Sequence, residues 1–98
     1  MIFTVVWKNI AEDELAAIWV QHPAERNAIT KGANQIDALL RIDPQSKGDP
    51  HWKGKRILHV SPLLIIFQTH ETDLLVRVLA VWYIPPYTTN GFTESELP

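Results

Sequence analysis

Apolar positions along this chain recur with two different periods, and the change of period separates a helical half from a strand-rich half. Residues 2–7 (IFTVVW) are β-branched and aromatic, the composition of a short strand. Asn9 then precedes Ile10-Ala11-Glu12, an N-cap residue with an acid three positions on, which predicts a helix start. Ala11, Leu15, Ile18 and Trp19 follow at helical spacing. Glu12, Asp13 and Glu14 read as the outer face and the first turn, where the helix dipole favours acids. Pro23 ends this helix and opens the next. Ile29, Ala33, Ile36 and Leu40 fall at i, i+4, i+7 and i+11, a single apolar stripe. Gly32 inside that stripe costs a helix about 1 kcal/mol relative to Ala. Arg41 sits in the last turn and Asp43-Pro44 stops the helix. Two amphipathic helices joined by a short Pro-containing turn predict an antiparallel hairpin.

Beyond it the period shortens. Residues 43–54 are polar and carry Pro44, Gly48, Pro50 and Gly54, which predicts a loop. Strands are expected over 55–60, 63–69 and 74–82, with Ser61-Pro62 turning between the first pair and residues 70–73 between the second. The continuous apolar run 63–67 suits a central strand flanked on both sides. Ile84-Pro85-Pro86 ends the last strand, since proline donates nothing to a ladder. Residues 1–86 therefore read as one domain and residues 87–98 as a polar, mobile tail. The predicted class is α+β in the order β-α-α-β-β-β, with a helical hairpin packed on one face of an antiparallel sheet. Trp7, Trp19 and Trp82 are expected in the core or at its rim.

Composition narrows the functional classes. Ninety-eight residues suffice for one modest core, and 46% apolar against 20% charged residues excludes a disordered chain. With no cysteine, disulfides, thiolate chemistry and zinc ribbons are out, which fits a reducing cytoplasm. The first nine residues lack the cationic lead and small-residue cleavage site of a signal peptide. The longest apolar runs, 63–67 and 78–82, are too short to span a bilayer, so no membrane role is expected.

Net charge is −2, whereas a generic nucleic-acid binder carries a basic excess. The charge is unevenly placed, however. Residues 47–56 hold Lys47, Lys53, Lys55 and Arg56 against Asp49 alone. Such a loop attracts phosphate over a Debye length of about 8 Å whatever the total charge.

The runs FTVVWKNIAEDELAAIW, ALLRIDP and KRILHVSPLLIIFQTHETDLLVRVLAVW together resemble the RelE/ParE superfamily of bacterial toxins, across residues 2–83. The resemblance implies the toxin half of a type II toxin–antitoxin pair, a growth inhibitor silenced by a small cognate antitoxin. In that family RelE-like members cut mRNA on the ribosome and ParE-like members poison DNA gyrase. It implies no cofactor. RelE-type cleavage needs an activated 2′-hydroxyl, a stabilised phosphate charge and a protonated leaving oxygen.

Carried onto this chain, Lys55 and Arg56 match the basic start of the first meander strand. His59 shares a strand face with Ile57 and Lys55, and Tyr83 stands near the end of the last strand as a proton donor. Lys55, Arg56, His59 and Tyr83 are thus the candidate catalytic set. Two positions depart from the pattern: Leu63-Leu64 stands where the middle strand carries an arginine, and Trp82-Tyr83-Ile84-Pro85-Pro86 where the last strand leads to an Arg-bearing or His-Tyr end. The choice between an endoribonuclease and a non-enzymatic binder, or an inactive relative, stays open at the level of sequence.

The remaining candidates are contact residues. Trp52, in a polar loop, suits base stacking or burial in a protein interface, with Lys53 beside it. Arg77 lies between valines on the last strand, either paired to a carboxylate or facing a ligand, and Tyr87 is a further stacking candidate. His22, His51 and His70 show no metal-ligand spacing, and no metal is expected. As surface cations, Lys55 and Arg56 should contribute little to folding.

Overall fold

The computed structural model describes residues 1–85. The chain runs β1 (Thr4–Trp7), α1 (Asn9–Gln21), α2 (Arg26–Leu40), β2 (Asp49–Pro50), β3 (Arg56–Val60), β4 (Leu63–His70) and β5 (Leu75–Tyr83), with 3₁₀ turns at Pro23–Glu25, Pro44–Ser46 and Trp52–Gly54. The sheet order is β1-β5-β4-β3-β2. The β3-β4-β5 meander is antiparallel, as its turn residues require, and β4 is flanked on both sides. The sheet as a whole is mixed. β1 pairs with β5 in parallel, Thr4 opposite Leu75 and Trp7 opposite Val78, because the helical hairpin carries the chain back between them. The polar loop also contributes a two-residue edge strand, β2, paired to Ile57 and Arg56.

Both helices cover one face of the sheet. The α2 stripe buries Ile29, Ile36 and Leu40 almost completely, against Leu63, Ile65 and Phe67 of β4 and Val76, Val78 and Val81 of β5. Gly32 is buried in the same stripe where α2 approaches the β3–β4 turn, which contains a cis Ser61-Pro62 peptide. A Cβ there would meet Leu63 Cδ1 at 3.4 Å and the Ser61 and Val60 carbonyls at 3.5 Å.

Several local features differ from the sequence expectation. The α1 N-cap is Lys8, not Asn9, and no side chain caps it. Lys8 N–H is still in the sheet, donating to Val78 O at 3.0 Å, so the helix begins where the ladder ends. At the other end of α1, Arg26 folds back from α2. Its Nε donates to Trp19 O at 2.9 Å and Nη2 to Val20 O at 3.5 Å, capping carbonyls that the helix leaves open.

The largest departure is a β-bulge. Ile66 pairs with Ala80 and Phe67 with Val78, leaving Leu79 without an opposite residue. Strand parity reverses there. Val76, Val78, Val81 and Tyr83 face the helices, while Arg77, Ala80 and Trp82 face the other way. Trp82 is consequently 43% exposed on the face away from the helices, and Trp19, at the outer end of α1, is 41% exposed. Glu14, expected on the outer face of α1, turns inward, and its Oε1 accepts the Val81 N–H beside the bulge at 3.2 Å.

Candidate functional site

The HWKGKR segment forms a tight turn at the exposed edge of the sheet. His51 N–H donates to Lys55 O at 2.8 Å and Lys55 N–H to Trp52 O at 3.2 Å. Closing the turn puts Lys53 and Gly54 at positive φ, 54° and 76°. Trp52 is 67% exposed, with Lys53 Nζ 4.6 Å and Lys55 Nζ 5.8 Å from its ring centroid. An exposed indole carrying two cations is a contact surface for a partner that is flat, anionic or both.

Arg56 does not join that surface. Its Nε donates to Lys47 O at 2.8 Å and its Nη2 to Gly48 O at 2.9 Å, both partly buried. The guanidinium thereby ties the start of the loop to β3 and β2. Gly48, at φ +66°, packs so tightly on β3 that a Cβ there would collide with the Ile57 carbonyl. Sequence marks Arg56 as a free cation; its donors are in fact aimed at its own backbone.

The other candidates fall on different faces. His59 is exposed on the sheet face away from the helices, in a cross-strand row with Leu64 and Trp82. The next row is Ile57, Ile66 and Ala80, and beyond it stand Gln68, Arg77 and Val6. Arg77 is exposed there, and among the described residues it makes no ion pair or side-chain hydrogen bond. Among the described residues this open face is therefore mainly apolar, with the Arg77 guanidinium and two imidazoles, His59 and, one row beyond Gln68, His70.

Tyr83 lies on the opposite face. It packs against the core, and its ring stacks on His22, centroids 3.7 Å apart and planes at 16°. His59 and Tyr83 cannot act on one substrate atom across the sheet. Tyr87 is outside the described residues. No three metal-ligating side chains converge among the described residues, and no helix there is long and apolar enough to cross a membrane.

A feature the sequence reading missed is a groove of about 570 Å³ between α1, α2 and β1. Leu15, Ala16, Trp19, Val20 and Ala33 supply apolar walls, while Glu12, Asn34 and Asp37 supply polar groups. Trp7 Nε1 donates to Asp37 Oδ1 at 2.8 Å and holds the floor of the groove to α2. Its one signal in the sequence is apolar excess: Val20, which lines the groove, is 63% exposed and lies outside the buried stripe of α1.

The fold has solved counterparts. A chain of the chromosomal ParDE toxin–antitoxin system from P. aeruginosa superimposes with a TM-score of 0.71, at 19% identity, over 86% of this chain and 98% of that one. A chain of the toxin–antitoxin complex RelBE2 from Mycobacterium tuberculosis gives 0.69, at 15% identity, over 85% and 92%. The fold is RelE/ParE-like. Comparison with protein-family models and with curated proteins gives no match. Within the RelE/ParE-like fold, two structures at this level of identity define the arrangement of helices and sheet; the chemistry must be argued from the side chains.

Proposed function

We propose that this chain is the toxin component of a type II toxin–antitoxin pair, and that it inhibits growth by gripping a protein target in the manner of the ParE-like branch. The observation that carries this reading is the dispersal of the nucleolytic set. Arg56 is spent on the Lys47 and Gly48 carbonyls, and His59 and Tyr83 stand on opposite faces of the sheet. Cutting RNA requires a phosphate-stabilising cation and a proton carrier within hydrogen-bond reach of one phosphodiester. The open face instead offers Ile57, Leu64, Ile66 and Trp82, which suit a protein surface. DNA gyrase is the target class that the ParE-like reading brings.

The partner in this reading is a small cognate antitoxin, acting in the cytoplasm. The α1/α2 groove supports it: an apolar trough with a carboxylate rim accepts the apolar face of an amphipathic helix flanked by basic residues.

A second reading rests on Trp52. The exposed indole with Lys53 and Lys55 on it favours RNA stacking, and with it a ribosome-bound mRNA target. Induced expression in a bacterium, with and without the neighbouring reading frame, tests the toxin role. Pulse labelling with thymidine and amino acids separates the targets. Early loss of thymidine incorporation supports the ParE-like reading; early loss of amino-acid incorporation with mRNA cleavage in the ribosomal A site overturns it. No growth defect at high expression removes the toxin role.

A further inference from the structure

The open face of the sheet is graded along its length. At the end where β5 stops it presents Leu64 and Trp82, and then Ile57, Ile66 and Ala80. The next row holds Gln68 and Arg77. Lys55 is extended, at φ −81° and ψ 162°, and directly precedes Arg56, so it continues β3 beside Gln68 and brings an ammonium to the edge of that row. Arg77 is exposed there without an ion pair or side-chain hydrogen bond among the described residues. Strands β1, β3, β4 and β5 contain no acid, and Asp49 in β2 stands at the outer edge.

The chain beyond Pro85 lies outside the described residues, but its sequence is graded in the same order. In YTTNGFTESELP, residues 87–98, the aromatic Tyr87 and Phe92 precede the acidic Glu94 and Glu96. Those two are the last of eleven acids, and the nine before them equal the nine lysines and arginines, all of which also come earlier. The whole net charge of −2 therefore sits in this segment.

Strand β5 delivers the chain at the apolar end of the face. The Arg77 row lies about 17 Å back along the strands, whereas the stretch from Pro85 to Glu94 reaches up to about 30 Å when extended. A segment doubling back over β5 thus carries Tyr87 and Phe92 across the apolar rows before its acids meet Arg77 and Lys55. The other concave surfaces suit it less. The cavity between residues 21–25 and Pro85 has no lysine or arginine in its wall, and the α1/α2 groove has Glu12 and Asp37 on its rim.

We infer that residues 87–98 occupy the open face, with Tyr87 and Phe92 on the rows of Trp82 and Ile66 and with Glu94 and Glu96 at Arg77 and Lys55. Exposed ion pairs hold weakly, so the cover is one that a competitor displaces. That the competitor is the target of a toxin rests on the proposed function; the docking itself does not.

The chain contains no cysteine, so Ser95→Cys in the full-length protein takes a single nitroxide label. Amide spectra of the ¹⁵N-labelled protein, with the nitroxide oxidised and then reduced, map what lies near it. The expected result is signal loss centred on Gln68 and Arg77, with weaker loss in α1 and α2. Glu94→Gln/Glu96→Gln in the labelled chain should restore those signals, and so should Arg77→Gln, with unmoved core amides showing that each variant stays folded. Loss centred on residues 21–25 or on the α1/α2 groove, even loss over the whole chain, or loss unchanged in both variants overturns the inference. So does the same pattern in a mixture of ¹⁵N-labelled untagged and unlabelled tagged chains, which assigns the face to a second copy. Growth inhibition is scored separately, so an inert chain with a docked tail refutes the toxin reading and leaves this one standing.

Discussion

Replacing Arg56 by alanine distinguishes a catalytic cation from a structural clamp. The side chain makes two charge-assisted bonds, 2.8 and 2.9 Å, to the Lys47 and Gly48 carbonyls, all in partly buried surroundings. A hydrogen bond to a charged group contributes roughly 1.5–3 kcal/mol. Both carbonyls regain some water when the guanidinium leaves, and the two losses share one loop, so the sum is well below additive. We expect a destabilisation of about 2 kcal/mol, which in a domain of this size lowers the melting temperature by roughly 8–16 °C. Urea unfolding followed by far-UV circular dichroism measures it: the midpoint should fall while the slope stays constant. Arg56→Lys keeps the charge but not the fork, so its loss should lie between wild type and Arg56→Ala. Lys55→Ala is the control, because the Lys55 ammonium only stands 5.8 Å from the exposed Trp52 ring; its change should stay within about 0.5 kcal/mol. If Arg56→Ala is as stable as Lys55→Ala but toxicity disappears, Arg56 acts on substrate and the clamp argument is wrong.

The same geometry sets the other expectations. Gly48→Ala forces a Cβ into the Ile57 carbonyl at a positive φ and should cost about 3 kcal/mol or more, read as loss of soluble protein or a collapsed melting temperature. Glu14→Ala strips the Val81 N–H of its acceptor and should cost about 1–2 kcal/mol in urea, with Glu14→Gln retaining most of the stability. Gly32→Ala meets only ordinary contacts at 3.4–3.5 Å and gains helix propensity, so the melt should show a stabilisation of about 0.5–1 kcal/mol; a loss would mean the β3–β4 turn cannot give. Val20→Glu puts a charge at a 63% exposed position of the α1/α2 groove. It should abolish rescue by the antitoxin and change stability by less than about 0.5 kcal/mol.

The elements themselves were readable because each rests on a local period. The α2 stripe, the Pro23 break and the three meander strands all lie within a residue or two of their predicted places. What sequence does not display is a side chain answering a distant backbone group. Glu14 reads as a solvated acid because its acceptor role depends on Val81, 67 positions away. Asn9 reads as a cap because nothing local reveals that Lys8 still belongs to the sheet. Arg56 stands nine residues from its Lys47 partner, but the turn that brings them together needs Gly48 on the Ile57 carbonyl, a contact no spacing rule encodes.

The bulge at Leu79 decided the site. Strict alternation through LVRVLAVWY puts Val76, Val78, Ala80 and Trp82 on one face, and Arg77, Leu79, Val81 and Tyr83 on the other. On that register Tyr83 would share the open face with His59 and Arg77, although about 20 Å of strand would still separate it from Arg77. One extra residue in β5 exchanges the faces of everything after it. Tyr83 goes inward to stack on His22, and Trp82 comes out beside Leu64 and His59. The inserted position has its own support, since the Val81 N–H next to it is taken up by Glu14 from α1. A bulge anchored to the helical layer is part of how the hairpin docks on the sheet. The same insertion that seats α1 therefore brings Trp82 onto the open face and completes an apolar surface suited to holding a protein.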